Sequence, residues 1–158
     1  MTKDMLEIFV DGACSGNPGP AGIGVVIKRG GKVIGEISKS IGEATNNIAE
    51  YSALVYALQE ALVLKAPRVK VFTDSELMFH QLTGNYKVKD AKLKFLHDQV
   101  QHLKRGFANV ELVHVPREKN KEADKLATSS LNNINKKQAK MVATLFDNSV
   151  EESPSSEG

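Results

Sequence analysis

The sequence predicts an α/β fold, and three observations carry that prediction. Residues 6–41 hold three apolar runs of strand length, separated by glycine-bearing segments. A long stretch with helical apolar spacing follows and ends at Pro67. Strand and helix patterns then alternate as far as residue 132, the signature of helices packed on a sheet.

Leu6-Glu-Ile-Phe-Val-Asp11 reads as the first strand, apolar enough to be central. Gly12 through Gly22 carries glycines and prolines and is expected to be a turn-rich connection. Ile23–Lys28 is the second strand, Arg29-Gly-Gly-Lys32 a hairpin signal, and Val33–Ile41 the third strand, so the chain opens as an antiparallel meander. A helix is expected over 47–64, with Tyr51, Leu54, Val55, Leu58, Ala61 and Leu62 on one apolar face. Val69–Asp74 is the fourth strand. The intervening helix implies a right-handed crossover and a parallel neighbour among the earlier strands. Helices are expected over 75–82 and 91–104, a fifth strand over 110–115, and a helix over 121–132 carrying Ala123, Leu126, Ala127 and Leu131. Residues 134–146 form a further short helical pattern, with Met141, Val142, Leu145 and Phe146 as a docking patch. From Asp147 onward the composition is that of a disordered acidic tail.

Composition excludes several classes. With 41% hydrophobic and 25% charged residues in 158, the chain has the make-up of one soluble domain with a tail. No apolar run approaches the roughly 20 residues of a membrane span. The N-terminus has no apolar leader core, so a cytoplasmic location is expected. The single cysteine, Cys14, excludes an internal disulfide framework and a cysteine-cluster zinc site. It reads as a packed or turn residue, and His114, on an apolar strand, as a packed histidine. The net charge of +2 identifies no partner, but residues 87–105 hold six Lys and Arg against two Asp. Such a segment is either a solvated helix face or a phosphate-contacting surface.

Four acids stand out: Asp11, Glu50, Asp74 and Asp124. Asp11 and Asp74 end apolar strands, and if those strands lie side by side the two carboxylates share one sheet edge. Glu50 and Asp124 sit near the starts of helices. Each acid has an ordinary local reading. Glu50 follows Asn47 by three as in a capping box, Asp124 complements a helix dipole, Asp74 caps the next helix, and Asp11 is a turn residue. These readings leave the convergence of all four at one edge unexplained. Clustered carboxylates repel unless cations neutralise them, and an all-oxygen site suits Mg²⁺ or Mn²⁺. The glycines around Gly12 and Gly16 fit neither a Walker loop nor a dinucleotide fingerprint, and suit a backbone that approaches a ligand closely.

Together these segments resemble type 1 ribonuclease H. Asp11-Gly-Ala-Cys-Ser-Gly-Asn-Pro-Gly19 is similar to that family's first motif and Thr45-Asn-Asn-Ile-Ala-Glu50-Tyr51 to its second. Thr73-Asp74-Ser75 and Asn120-Lys-Glu-Ala-Asp124-Lys-Leu-Ala127 are similar to the third and fourth, in the same order and spacing. The resemblance covers about residues 4–132. It implies a ribonuclease H-like fold, a five-stranded mixed sheet with helices on both faces, and a catalytic domain over 1–133 with a C-terminal extension over 134–158. The implied activity is endonucleolytic hydrolysis of the RNA strand of an RNA–DNA hybrid, leaving 5′-phosphate and 3′-hydroxyl ends.

By the same resemblance Asp11 bridges two Mg²⁺ ions, Mn²⁺ being a substitute. Asp124 helps hold the ion that activates water, and Glu50 and Asp74 hold the ion facing the leaving oxygen. Asn17, Asn46 and Asn47 are expected near the hybrid's minor groove, Cys14 and Ser15 close to the RNA strand, and Thr45 in a DNA-phosphate pocket. Ser75 and Glu76 complete the expected contacts, Glu76 standing where many relatives carry glutamine. Backbone at Gly12 and Gly16 gives ribose 2′-hydroxyls room to approach.

Two departures from the family pattern follow. The segment Gly84-Asn-Tyr-Lys-Val-Lys-Asp90 is too short for the basic protrusion of many relatives. The shortened form resembles archaeal-like and reverse-transcriptase-like members, and it leaves Lys87, Lys89 and Lys92 as candidate backbone contacts. The loop histidine of many relatives is also missing from Val115-Pro-Arg-Glu-Lys-Asn-Lys-Glu-Ala123, where Arg117 is the candidate replacement. An arginine does not shuttle protons near neutral pH, so its part is to orient phosphate or assist product departure. These departures suggest an alternative, a non-catalytic hybrid-binding module on the same fold, against which stands the retention of all four acids. The asparagine- and glycine-rich motifs weigh against a DNA-acting relative. A monomer with no obligatory protein partner and no membrane contact is expected.

Overall fold

The computed structural model describes residues 5–132. The expected 134–146 helix, the acidic tail and the domain boundary at 133 lie outside the described residues. Strands β1 (Met5–Cys14), β2 (Gly19–Arg29) and β3 (Lys32–Ala44) open the chain. Helix α1 (Asn46–Val63), strand β4 (Arg68–Thr73) and helices α2 (Glu76–Leu82) and α3 (Ala91–Lys104) follow. Strand β5 (Asn109–His114) and a 3-10 turn (Arg117–Lys119) lead into helix α4 over 121–132.

The five strands form one sheet in the order β3-β2-β1-β4-β5, with β1–β2 and β2–β3 antiparallel and β1–β4 and β4–β5 parallel. The most apolar strands, β1 and β2, lie inside, as their composition requires. The β2–β3 hairpin turns on Gly30 and Gly31, whose φ of 58° and 80° favour residues without a Cβ.

The sheet's two faces separate cleanly. Leu6, Ile8, Val10, Ile23, Val25 and Ile27 point to one side and bury against α1. Helix α1 also packs against α3, so it is covered on two sides. That is why Ala53 and Ala57 are buried beyond the expected stripe, while Leu62 is only half-buried. Polar side chains start each of these helices. Thr45 Oγ1 accepts from Ile48 N–H at 3.2 Å, Ser75 Oγ from Met78 N–H at 3.1 Å and Asp90 Oδ2 from Leu93 N–H at 3.0 Å. Thr45 is therefore the N-cap of α1, and the Asn47–Glu50 capping box is not used.

The main correction concerns Gly12–Gly22. Only residues 15–18 form a bend; Gly12, Ala13 and Cys14 continue β1, and Gly19–Gly22 belong to β2. The glycines answer to packing instead of turning. A Cβ on Gly12 would lie 2.5 Å from the backbone of Ala49 and Glu50 in α1. On the opposite face, a Cβ on Gly24 would overlap the Ala123 carbonyl of α4, and one on Gly22 would overlap the Ser130 hydroxyl. Asp11 accordingly sits inside β1, paired with Gly24, and does not end the strand. His114 is a second correction: it is exposed at the end of edge strand β5, with Phe79 tilted against it at 5.6 Å.

Close approach of α4 is thus a condition of the fold. Gly24→Ala is expected to cost about 1–3 kcal/mol by overpacking. Gly35→Ala, whose Cβ meets nothing nearer than 3.7 Å, serves as the near-neutral control. Urea unfolding of both variants checks this, and equal stabilities would remove the constraint.

Candidate active site

The register brings the first two acids level. Phe9 pairs with Phe72 across β1–β4, and their rings stack at 4.5 Å. Asp11 and Asp74 each lie two residues further on, so they emerge at the same height. Glu50 arrives on the first turns of α1, where Gly12 admits the helix backbone. Asp124 arrives on the first turn of α4, next to the Ala123 that Gly24 admits.

Ligand oxygens of Asp11, Glu50 and Asp74 all lie within 4.8 Å of one another. Asp124 joins beside Asp11, whose proton affinity it raises. All four acids line one cavity of about 500 Å³, together with Gly12, Ala13, Cys14, Asn46, Asn47, Arg117 and Thr128.

Crowding is written into the proton affinities. Asp11, only 6% exposed, is pushed from 3.8 up to about 8. Burial is the main cause, with Asp74, Asp124 and Glu50 adding to it. Glu50 rises from 4.5 to about 7, again through burial first, against a lowering hydrogen bond from Ser75 and the Arg117 charge. Asp74 is raised by burial, offset by a hydrogen bond from Asn120 and by Arg117 and His114. Its Oδ2 is buried without a hydrogen-bond partner. Three mutually destabilised carboxyls and an orphaned acceptor fit a hard divalent cation, which all-oxygen donor sets favour.

The remaining candidates divide. Cys14 lies in the cavity wall, with its thiol donating to the Ala44 carbonyl at 2.9 Å. Ser15 and Gly16 are exposed in the bend. Asn17 Oδ1 accepts from Asn46 N–H at 3.0 Å, tying the bend to the start of α1. Asn17, Thr45, Asn47 and Lys92 line a neighbouring groove between α1 and the start of α3. Lys87 and Lys89 lie on the α2–α3 connection, outside both hollows. Ser75 is buried as the α2 N-cap, beside Glu50. Glu76 points to solvent near His80, 4.0 Å away, and is not in the cavity wall. Sequence reasoning assigned no role to Thr128 or Asn120. Each lies four residues from Asp124, on the same helix face or just before it, and that spacing was the available signal.

Comparison with known proteins agrees with this geometry. Residues 9–130 match the family described as reverse transcriptase-like. The chain is 40% identical over 127 residues to ribonuclease HI of Halobacterium salinarum, covering 80% of this chain and 64% of that protein. It is 40% identical over 128 residues to a bifunctional protein of Mycobacterium tuberculosis, of which it spans 35%. The crystal structure of the Halobacterium enzyme superposes with a TM-score of 0.80 at 38% identity, covering 82% of this chain and 98% of that one. A crystal structure of LC11-RNase H1 in complex with RNA/DNA hybrid gives a TM-score of 0.77 at 43% identity, with the same coverage. The matched family, the sheet order and the four acids converge on one conclusion: this chain belongs to the type 1 ribonuclease H family, in its reverse-transcriptase-like branch.

Proposed function

We propose that this chain cleaves the RNA strand of RNA–DNA hybrids, leaving 5′-phosphate and 3′-hydroxyl ends, with divalent cations held by Asp11, Glu50, Asp74 and Asp124. The observation that carries the reading is the carboxylate triplet within 4.8 Å, open to a cavity. Two Mg²⁺ ions, or Mn²⁺ in their place, would stabilise charge on the attacking and leaving oxygens when bound.

The chain's own groups do the rest. Burial raises the free energy of the empty, ionised cluster, so the site gains from cation entry and releases protons as it fills. Arg117 supplies a fixed positive charge beside Glu50 and Asp74 and is suited to hold a phosphate there. Asn46 and Asn47 offer amide groups in the same wall, next to the side-chain-free backbone of Gly12. Thr45, Asn17 and Lys92 line the groove that the second strand of a hybrid would follow.

Three outcomes test this reading. Asp11→Asn and Asp74→Asn should each lose more than the roughly 10–100-fold that outer partners of a metal site are worth. Both should remain folded in thermal melts. Cleavage of labelled hybrid at near wild-type rate by either variant would remove the cation site.

The second is pH dependence without metal. The folded values of Asp11 and Glu50, about 8 and about 7, lie above their ordinary values of 3.8 and 4.5. The folded chain therefore binds the extra protons. The stability they contribute is fully present below about pH 4 and is lost as pH rises through 7 to 8. In EDTA the melting temperature should fall between pH 5.5 and 8.5, less steeply in Asp11→Asn. A melting temperature that rises across that range in wild type contradicts the assignment.

The third concerns the basic segment. Replacing Lys87, Lys89 and Lys92 by alanine should weaken hybrid binding and reduce its salt slope by about 0.9 for each phosphate that is no longer neutralised. An unchanged slope returns the three lysines to solvent-facing roles.

A further inference from the structure

Asn120 occupies the residue before α4, where a side-chain oxygen ordinarily caps the helix by accepting from a first-turn amide. It does not do so here. Its Oδ1 has no hydrogen-bond partner, although the residue is only 1% exposed. Its Nδ2 instead donates to the carbonyl of Val10, the residue before Asp11, at 2.8 Å. The same side chain lies beside the Asp74 carboxylate. Its own carbonyl accepts from Asp124 N–H at 3.1 Å. One buried side chain and its backbone therefore touch the β1 backbone at Asp11, the Asp74 carboxylate and the helix turn that carries Asp124.

The two orphaned acceptors matter together. Among the described residues, Asp74 Oδ2 and Asn120 Oδ1 are the buried side-chain polar atoms without a partner, and they belong to neighbouring residues. A buried acceptor without a donor is unfavourable, so native structures rarely keep one without a reason. An asparagine retained only to start α4 would turn its oxygen to the helix amides.

We propose that Asn120 is a positioning residue of this site. It fixes the spacing of Asp11, Asp74 and Asp124, and it leaves Oδ1 open for a hydrogen donor that enters with a hydrated divalent cation. This rests on reading the acid cluster as a cation site. Asn120 acts through the carboxylates and is given no contact with the nucleic acid.

The test uses Asn120→Ser and Asn120→Ala in the full chain. Serine is among the best N-cap residues, so it preserves the start of α4 while removing both amide atoms. Three quantities are read: melting temperature in EDTA, Mn²⁺ affinity without nucleic acid from the free-ion paramagnetic signal, and kcat and KM on labelled hybrid with Mg²⁺. Leu131→Ala, in α4 and buried away from the acids, gives the effect of destabilising the helix alone.

Both Asn120 variants should weaken Mn²⁺ binding and lower kcat by about 10–100-fold, with KM for hybrid changed less than about threefold. Asn120→Ser should do so with a melting temperature close to wild type. If Asn120→Ala does not fold, Asn120→Ser alone decides. Wild-type Mn²⁺ affinity and kcat in Asn120→Ser, or losses no larger than those of Leu131→Ala, overturn the proposal. A wild type that binds Mn²⁺ in an Asn120-dependent manner but cleaves no hybrid would keep the positioning role and sink the proposed activity. A wild type that binds no Mn²⁺ overturns both.

Discussion

The whole cavity depends on how closely two helices can come to the β1–β2 pair. Side chains ordinarily keep a helix backbone a full side-chain layer away from a sheet. At Gly12 the α1 backbone comes down onto β1, and at Gly22 and Gly24 the α4 backbone comes down onto β2 from the other side. Glu50 rides on the first of these approaches and Asp124 on the second. Asp11 lies between them, beside Gly12 in sequence and opposite Gly24 in register. Any side chain at these glycines would lift a helix, and with it one carboxylate, away from the other three.

That geometry works against the electrostatics of the empty site. Carboxyls brought this close and shielded from water resist ionisation, as the upward displacement of Asp11 and Glu50 records. The fold holds them together with groups that carry no negative charge: the Ser75 hydroxyl at Glu50, the Asn120 amide at Asp74, and Arg117 near both. Strain of this kind suits a site whose best state includes a cation, and cation entry there would release protons.

Much of this was legible in the sequence. Strand number, the order of helices and the central place of β1 follow from apolar runs and their periodicity. The side-by-side placement of Asp11 and Asp74 follows from a helix linking two apolar strands. What escaped was the meaning of Gly12–Gly22. A glycine that permits a turn and one that permits a helix to touch a strand look identical in one dimension. The distinction lies in Ala49, Ala123 and Ser130, which are remote in sequence. The role of Asn120 escaped for a related reason: its position before a helix invites a capping role, and only its tertiary partner at Val10 shows otherwise. His114 was misjudged because β5 proved to be an edge strand, and edge position is set by sheet order and not by local composition.

The distribution of the four acids along the chain has a consequence for biosynthesis. Asp11 lies on the first strand and Asp124 on the last described helix. The cavity is not complete until α4 has left the ribosome and docked on Gly22 and Gly24. A nascent chain, or one terminated early at any point before that helix, lacks part of the acid set and the cover of one sheet face. Such fragments lack the complete set of acids that lines the cavity. The competence of the site thus certifies that synthesis has passed α4 and that the first strand has met the last described helix.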